Sequence, residues 1–184
     1  MGADKAFLEI DGQTLLERTL AVMRAVCEAV TIVGDPARFQ ELKTSQPTPV
    51  VADIFPGCGP LGGIHAALAF SKAELNLMLA VDMPFVSSDL LAFLLETAQK
   101  NDALVTVPRI GDRFQPLCAV YRRAFSGVAE STLRTGKYKI ESAFSGISVQ
   151  VVDEGQLGAC GFLERSFFNL NTPSDRVIAE GRFP

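Results

Sequence analysis

The chain has 184 residues, 48% apolar and 21% charged, with a formal net charge of -4 at pH 7. That length suits one domain with a full core and no disulfide staple. The negative balance argues against a broad electrostatic grip on nucleic acid, but a few local cations and backbone N–H groups can still hold a small anion. One histidine, His65, and four scattered cysteines (Cys27, Cys58, Cys118, Cys160) without a C-x-x-C pair disfavour a zinc site. Such thiols suit a reducing cytosol, and no apolar run has the length of a membrane span.

The opening Met1-Gly2-Ala3-Asp4-Lys5 leads into a mixed stretch closed by an Asp11-Gly12 turn. Thr14 and Glu17 have capping-box spacing, and Leu15, Leu16, Leu20, Met23 and Cys27 recur with helical period, which predicts a helix over 15–28. Residues 29–33 read as a strand. Asp35-Pro36 opens a short helix to residue 43, and 49–52 is a second strand ending at Asp53. Between Asp53 and Ile64 stand four glycines and two prolines, ahead of an apolar helix over 61–70. The order is strand, carboxylate, glycine-rich loop, helix. It lets backbone N–H groups approach a ligand, or it is simply a tight connection; its spacing matches neither the dinucleotide-binding nor the P-loop pattern.

Residues 77–82, Leu-Met-Leu-Ala-Val-Asp, form an apolar run that stops at a carboxylate, with Pro84 just beyond. Such a run reads as a strand buried on both faces. Asp82 then stands at a carboxyl end, where open sheets bind ligands, or it caps the following turn. Ser87-Ser88-Asp89 caps a helix over 89–100. Strands over 103–108 and 114–121 flank a Gly111-Asp112 turn. Helices over 123–134 and 139–145, a strand over 148–152, a strand-like piece at 167–169 and a last helix entered through Thr172 and Pro173 complete the chain. Strands alternate with helices through the first half, which predicts an α/β layered fold with a mostly parallel sheet and one antiparallel strand in the second half.

Five stretches, in order, resemble the molybdenum cofactor guanylyltransferase family. They are Met1-Gly2-Ala3-Asp4-Lys5-Ala6, Asp53 through Gly63, Val81-Asp82-Met83-Pro84-Phe85, Gln115-Pro116-Leu117 with Ala119-Val120-Tyr121, and Phe168-Asn169-Leu170-Asn171-Thr172-Pro173. The resemblance implies a three-layer Rossmann-like nucleotidyltransferase fold. The family signature usually opens with a first strand and Leu-Ala-Gly-Gly-x-Ser-x-Arg, and this sequence begins inside it. The expectation is therefore a single nucleotidyltransferase-like domain over 1–184, N-terminally truncated relative to the family.

The activity implied is transfer of GMP from GTP to the terminal phosphate of molybdopterin, with release of pyrophosphate. Such chemistry asks for positioning, a divalent cation and charge neutralisation. By the same resemblance, Asp82 is the catalytic Mg²⁺ ligand and Lys5 the catalytic cation beside the triphosphate. Asp53, Gly2, Gly59 and Gly62 join Lys5 and Asp82 in holding the nucleotide. Arg113, Gln115, Asn169 and Asn171 are candidates for the acceptor, whose pterin suits amide side chains and whose phosphate suits arginine. Asn169 and Asn171 read equally as hydrogen bonders at an element end, and His65 as a packing residue. The implied partners are GTP and molybdopterin, with transient contact to molybdenum-insertion proteins, no nucleic acid and no membrane, in the cytoplasm. Cytidylyl transfer, another phosphate acceptor, or a non-catalytic binding domain are the alternatives.

Overall fold

The computed structural model describes residues 5–39, 47–171 and 175. A short 3-10 helix, Lys5–Phe7, leads into an antiparallel hairpin of β1 (Glu9–Ile10) and β2 (Gln13–Thr14). Its turn residues Asp11 and Gly12 both have positive φ, the conformation that a two-residue hairpin turn requires. α1 (Leu15–Arg24) follows at once. The Glu17 N–H donates to Thr14 Oγ1 at 3.1 Å and the Thr14 N–H donates to Glu17 Oε2 at 2.8 Å, so the expected capping box is complete. The helix ends at Arg24 rather than at residue 28.

β3 (Ile32–Val33) pairs in parallel with β4 (Val50–Val51), and a 3-10 helix at Pro36–Phe39 lies between them. The continuation of that helix to residue 43 lies outside the described residues. α2 (Gly59–Phe70) begins inside the glycine-rich loop. Pro60 suits its first turn, where an N–H has no intrahelical partner anyway. β5 (Leu75–Leu79) stops short of Asp82, and Ser87 Oγ accepts the Leu90 N–H at 3.2 Å to cap α3 (Ser88–Gln99).

The strand expected over 114–121 is broken. β6 (Val105–Ile110) turns into β7 (Arg113–Phe114), and β8 (Cys118–Arg122) resumes after a turn in which the Cys118 N–H donates to the Gln115 carbonyl at 2.9 Å. Pro116 inside that turn has no N–H for a ladder. Then come α4 (Phe125–Arg134), a 3-10 helix at Ile140–Ala143 and β9 (Val149–Val152). α5 (Glu154–Ala159), capped by Asp153 and Gln156, has no counterpart among the expected elements, because Gly155 and Gly158 mask its helical character. Residues Glu164–Phe167 form a 3-10 helix where a strand-like piece was expected. The final helix, with Thr172 and Pro173 at its start, lies outside the described residues apart from Asp175.

The sheet corrects the expected strand sense. β8 lies between β5 and β6 and is antiparallel to both, and β6 pairs in parallel with β9. Three strands of this sheet therefore share a direction. Because the reversed strand is central rather than peripheral, the pairings are mainly antiparallel. The layered arrangement is present. Ala119 and Tyr121 face Leu61, Ile64, Leu68 and Phe125 from α2 and α4, whereas Cys118 and Val120 face Leu90, Leu91 and Leu94 from α3. This alternation follows the period-two geometry of a strand. The β3–β4 ribbon is a separate sheet. A cavity of about 1140 Å³ separates it from β5, with apolar walls from α1, α2, β3 and β5. Among the described residues, no helix is long and apolar enough to cross a membrane.

Two predictions follow from the centre of this sheet. The Tyr121 hydroxyl donates to the Pro116 carbonyl at 2.7 Å from a fully buried ring. Tyr121→Phe leaves that carbonyl unsatisfied, and chemical denaturation should read a loss of about 1–2 kcal/mol. Burial pushes the Cys118 thiol up to about 12, while Cys160 is exposed. Native alkylation followed by mass spectrometry should label Cys160 and spare Cys118.

Candidate active site

Three residues from distant parts of the chain meet beyond the end of β5. Lys5 Nζ donates to Asp82 Oδ2 at 3.0 Å and to Asn171 Oδ1 at 2.9 Å. The lysine side chain is 41% exposed and the aspartate 23%, so the pair is open to a ligand. Packing sets each of them in place. Ala6, next to Lys5, is buried against Leu16, Leu20 and Ile32. Ile10, Leu15 and Leu170 form a small core with Val81 and Phe168, flanking Asp82 and Asn171. The backbone is tied as well, since the Leu170 N–H donates to the Asp82 carbonyl at 2.8 Å. Farther out, the Arg165 guanidinium lies 4.7 Å from the centre of the Phe85 ring, which packs on Phe168.

Asp175 was not singled out by sequence reasoning, yet its Oδ2 accepts the Asn171 N–H at 2.7 Å. A carboxylate four residues after an asparagine at a helix entry was the available signal.

The glycine-rich loop lies on the wall of the large cavity. Asp53, Gly59 and Gly63 all line that wall, and a Cβ added at Gly63 would stand 3.7 Å from Asp53 Oδ1. A Cβ at Gly62 would come within 3.1 Å of the Phe55 carbonyl oxygen, so the loop presses on the first turn of α2. Gly59 has φ +67°, a left-handed conformation that a side chain would strain. Cys58, at the N-cap of α2, makes no side-chain cap. The first-turn N–H groups are thus left for solvent or an anion.

The remaining candidates separate. The Gln115 N–H donates to the Pro108 carbonyl at 2.8 Å. Its neighbour Leu117 accepts the Ala80 N–H at 2.8 Å, which brings the 115–117 turn to the end of β5. Asn169 is half-buried between Phe168 and Leu170. Arg113 is exposed on β7, and among the described residues no hydrogen bond joins it to Lys5, Asp82 or Asn171. Gly2 lies outside the described residues. His65 is buried in α2 and packs edge-on against Phe55, as a core residue does.

Comparison with known proteins identifies the family. The family model for the MobA-like NTP transferase domain matches residues 1–147. A protein of Pelotomaculum thermopropionicum named "Probable molybdenum cofactor guanylyltransferase" is 38% identical over 184 residues, covering 98% of this chain and 87% of the relative. The molybdenum cofactor guanylyltransferase of Desulfosudis oleivorans is 30% identical, covering 97% and 87%. Among solved structures, the molybdopterin-guanine dinucleotide biosynthesis protein A of Archaeoglobus fulgidus superposes with a TM-score of 0.85 at 27% identity, covering 98% of this chain and 90% of the other. A cytidylyltransferase from Thermus thermophilus, at 24% identity and a TM-score of 0.70, shares the fold. With a family model spanning most of its length and relatives of this identity and coverage, the chain belongs to the MobA-like NTP transferase family and is a nucleotidyltransferase.

Proposed function

We propose that this chain, acting as one nucleotidyltransferase domain, transfers GMP from GTP to the terminal phosphate of molybdopterin. The observation that carries the reading is the Lys5–Asp82–Asn171 cluster beyond the end of β5. The names of the relatives supply the substrates. In this reaction an acceptor phosphate oxygen forms a bond to the α-phosphorus of GTP. The bond from that phosphorus to the bridging oxygen of the β-phosphate breaks, and pyrophosphate leaves with the electron pair. No proton need be taken from an already ionised phosphate, which suits a site without a nucleophile–base pair.

Lys5 neutralises charge on the triphosphate and on the departing pyrophosphate. The first-turn N–H groups of α2, with Gly59 and Gly62, cradle phosphate oxygens, and Asp53 stands on the nucleotide side. The residues present fit a magnesium ion. A hard cation shared with substrate phosphates takes only one or two protein carboxylates. Asp82 provides one, with Oδ2 bonded to Lys5 and Oδ1 in no hydrogen bond among the described residues. When bound there, the ion would neutralise phosphate charge. No larger cluster of metal-binding side chains occurs among the described residues. Asn171 and Gln115 offer the acceptor their amide groups, and Asn169 and Arg113 are two further candidates for it.

Calorimetry with GTP, with and without Mg²⁺, tests the reading. GTP should bind the unaltered chain in a metal-dependent way, and Asp82→Ala should remove that dependence. Preference for CTP would make the enzyme a cytidylyltransferase, and binding of neither nucleotide would overturn the proposal. In a turnover assay, Lys5→Ala should lower kcat by about a hundredfold, as expected for loss of a charge that stabilises the transition state, and Lys5→Arg should recover part of it.

A further inference from the structure

The glycine-rich loop contains residues that do not hold their own shape. Gly57 and Gly59 have φ of +77° and +67°, and ordering a glycine costs more backbone entropy than ordering any other residue. Cys58 gives α2 no side-chain cap. Ahead of these residues, Ile54 is 55% exposed, whereas Phe55 packs against the core shared by α2 and α4. The Phe55 ring meets His65 of α2 edge-on, with centroids 5.1 Å apart and planes at 75°. The Arg134 guanidinium, from the last turn of α4, stands 5.9 Å from the ring centre. Glu130, one turn earlier, fixes that guanidinium: Arg134 Nε and Nη2 both donate to its Oε1, at 3.0 and 2.6 Å. The two side chains are 67% and 41% exposed, so the pair by itself adds little to stability. The Phe55 carbonyl accepts the Cys58 N–H at 3.3 Å, and a Cβ at Gly62 would stand 3.1 Å from the same oxygen. Phe55 is thus held through its ring by α2 and α4, and through its carbonyl it meets the loop and the first turn of α2.

We propose that Phe55 is a positioning residue for the glycine-rich loop, and that Arg134, held by Glu130, acts on the bound nucleotide through the Phe55 ring. Neither side chain touches substrate. Phe55 lies two residues from Asp53 and three from Cys58 at the N-cap of α2. A tilt of its ring therefore moves the nucleotide-side carboxylate and the first-turn N–H groups together. A loop that wanders loses the alignment of those groups, and alignment is what a transfer reaction of this kind asks of the protein. The assignment rests on the guanylyltransferase reading, which makes these groups the partners of GTP.

Steady-state kinetics with molybdopterin as acceptor and GTP varied test this on Phe55→Leu, Phe55→Tyr, Arg134→Ala and the Phe55→Leu/Arg134→Ala pair. Phe55→Leu keeps apolar bulk without a ring. It should raise KM for GTP about tenfold with kcat nearly unchanged, the pattern of lost ground-state positioning. Phe55→Tyr keeps the ring and should restore KM to within about twofold of the unaltered chain. Arg134→Ala should raise KM about threefold, and that increment should vanish where Phe55 is already replaced by leucine. A lower thermal midpoint with KM unchanged makes Phe55 a packing residue only and overturns the proposal. So does an Arg134→Ala effect of equal size in both backgrounds. Hydrogen–deuterium exchange of the amides between Gly57 and Gly63, measured without nucleotide, reads the loop directly. Phe55→Leu should speed it about tenfold and Phe55→Tyr should not. If the unaltered chain binds no GTP, the guanylyltransferase reading fails by itself. Exchange then still decides the clamp, and an unchanged rate in Phe55→Leu overturns it.

Discussion

The site depends on one ammonium group with two partners. Lys5 lies 77 positions from Asp82 and 166 from Asn171 in the chain, and it touches both within 3.0 Å. A half-exposed ion pair of this kind adds little to stability, because solvent screens it and ordering a long side chain costs entropy. Its importance is positional. The backbones of Asp82 and Leu170 are tied by a hydrogen bond beneath it, and Val81, Ile10 and Leu170 share a small core. The side chains on top can exchange partners while the backbone holds still. In the proposed reaction a phosphate takes the ammonium and a cation takes the carboxylate, so each charge trades one opposite partner for another. Such an exchange needs little reorganisation, which is the condition for electrostatic catalysis by a preformed site.

The central position of β8 has consequences for that site. A parallel crossover would carry the chain away from the end of β5. The antiparallel entry into β8 instead brings the turn at 115–117 directly alongside it, through the Ala80–Leu117 hydrogen bond. The Tyr121 hydroxyl holds that turn from below by bonding the Pro116 carbonyl. Gln115 and Pro116 are therefore positioned by the most deeply buried strand of the sheet, although they belong to no strand themselves.

Local rules carried much of the fold. The Thr14–Glu17 box, the Ser87 cap and the Gly111-Asp112 turn are short-range patterns, and each stands where spacing puts it. Asp82 was marked by the apolar run that it ends, whereas Lys5 and Asn171 were legible only through resemblance, since no periodicity joins residues so far apart. The antiparallel sense of β8 was legible from the turn ahead of it, but its place between β5 and β6 was not. Its run of Cys-Ala-Val-Tyr, buried on both faces, reports burial and not the order of strands in the sheet.

The glycine-rich loop shows how packing can make a flexible composition rigid. Gly62 lets the Phe55 carbonyl approach the first turn of α2; a Cβ there would stand 3.1 Å from that oxygen and press it back by a few tenths of an ångström. Phe55 is held on two sides, by the His65 ring edge-on at 5.1 Å and by the Arg134 guanidinium at 5.9 Å from its centre. Arg134 is itself fixed by Glu130, at 2.6 and 3.0 Å, and that hydrogen bond holds the Glu130 carboxyl below its ordinary range. His65 Nδ1 is buried, with no hydrogen-bond partner among the described residues. With the ring proton on Nε2, the unpaired atom is a lone pair rather than an N–H. The two glycines that leave α2's first turn accessible are therefore anchored by an aromatic contact on the far side of the loop. Freedom of the backbone at Gly59 and Gly62 serves close approach, and the Phe55 clamp removes the disorder that such freedom would otherwise bring.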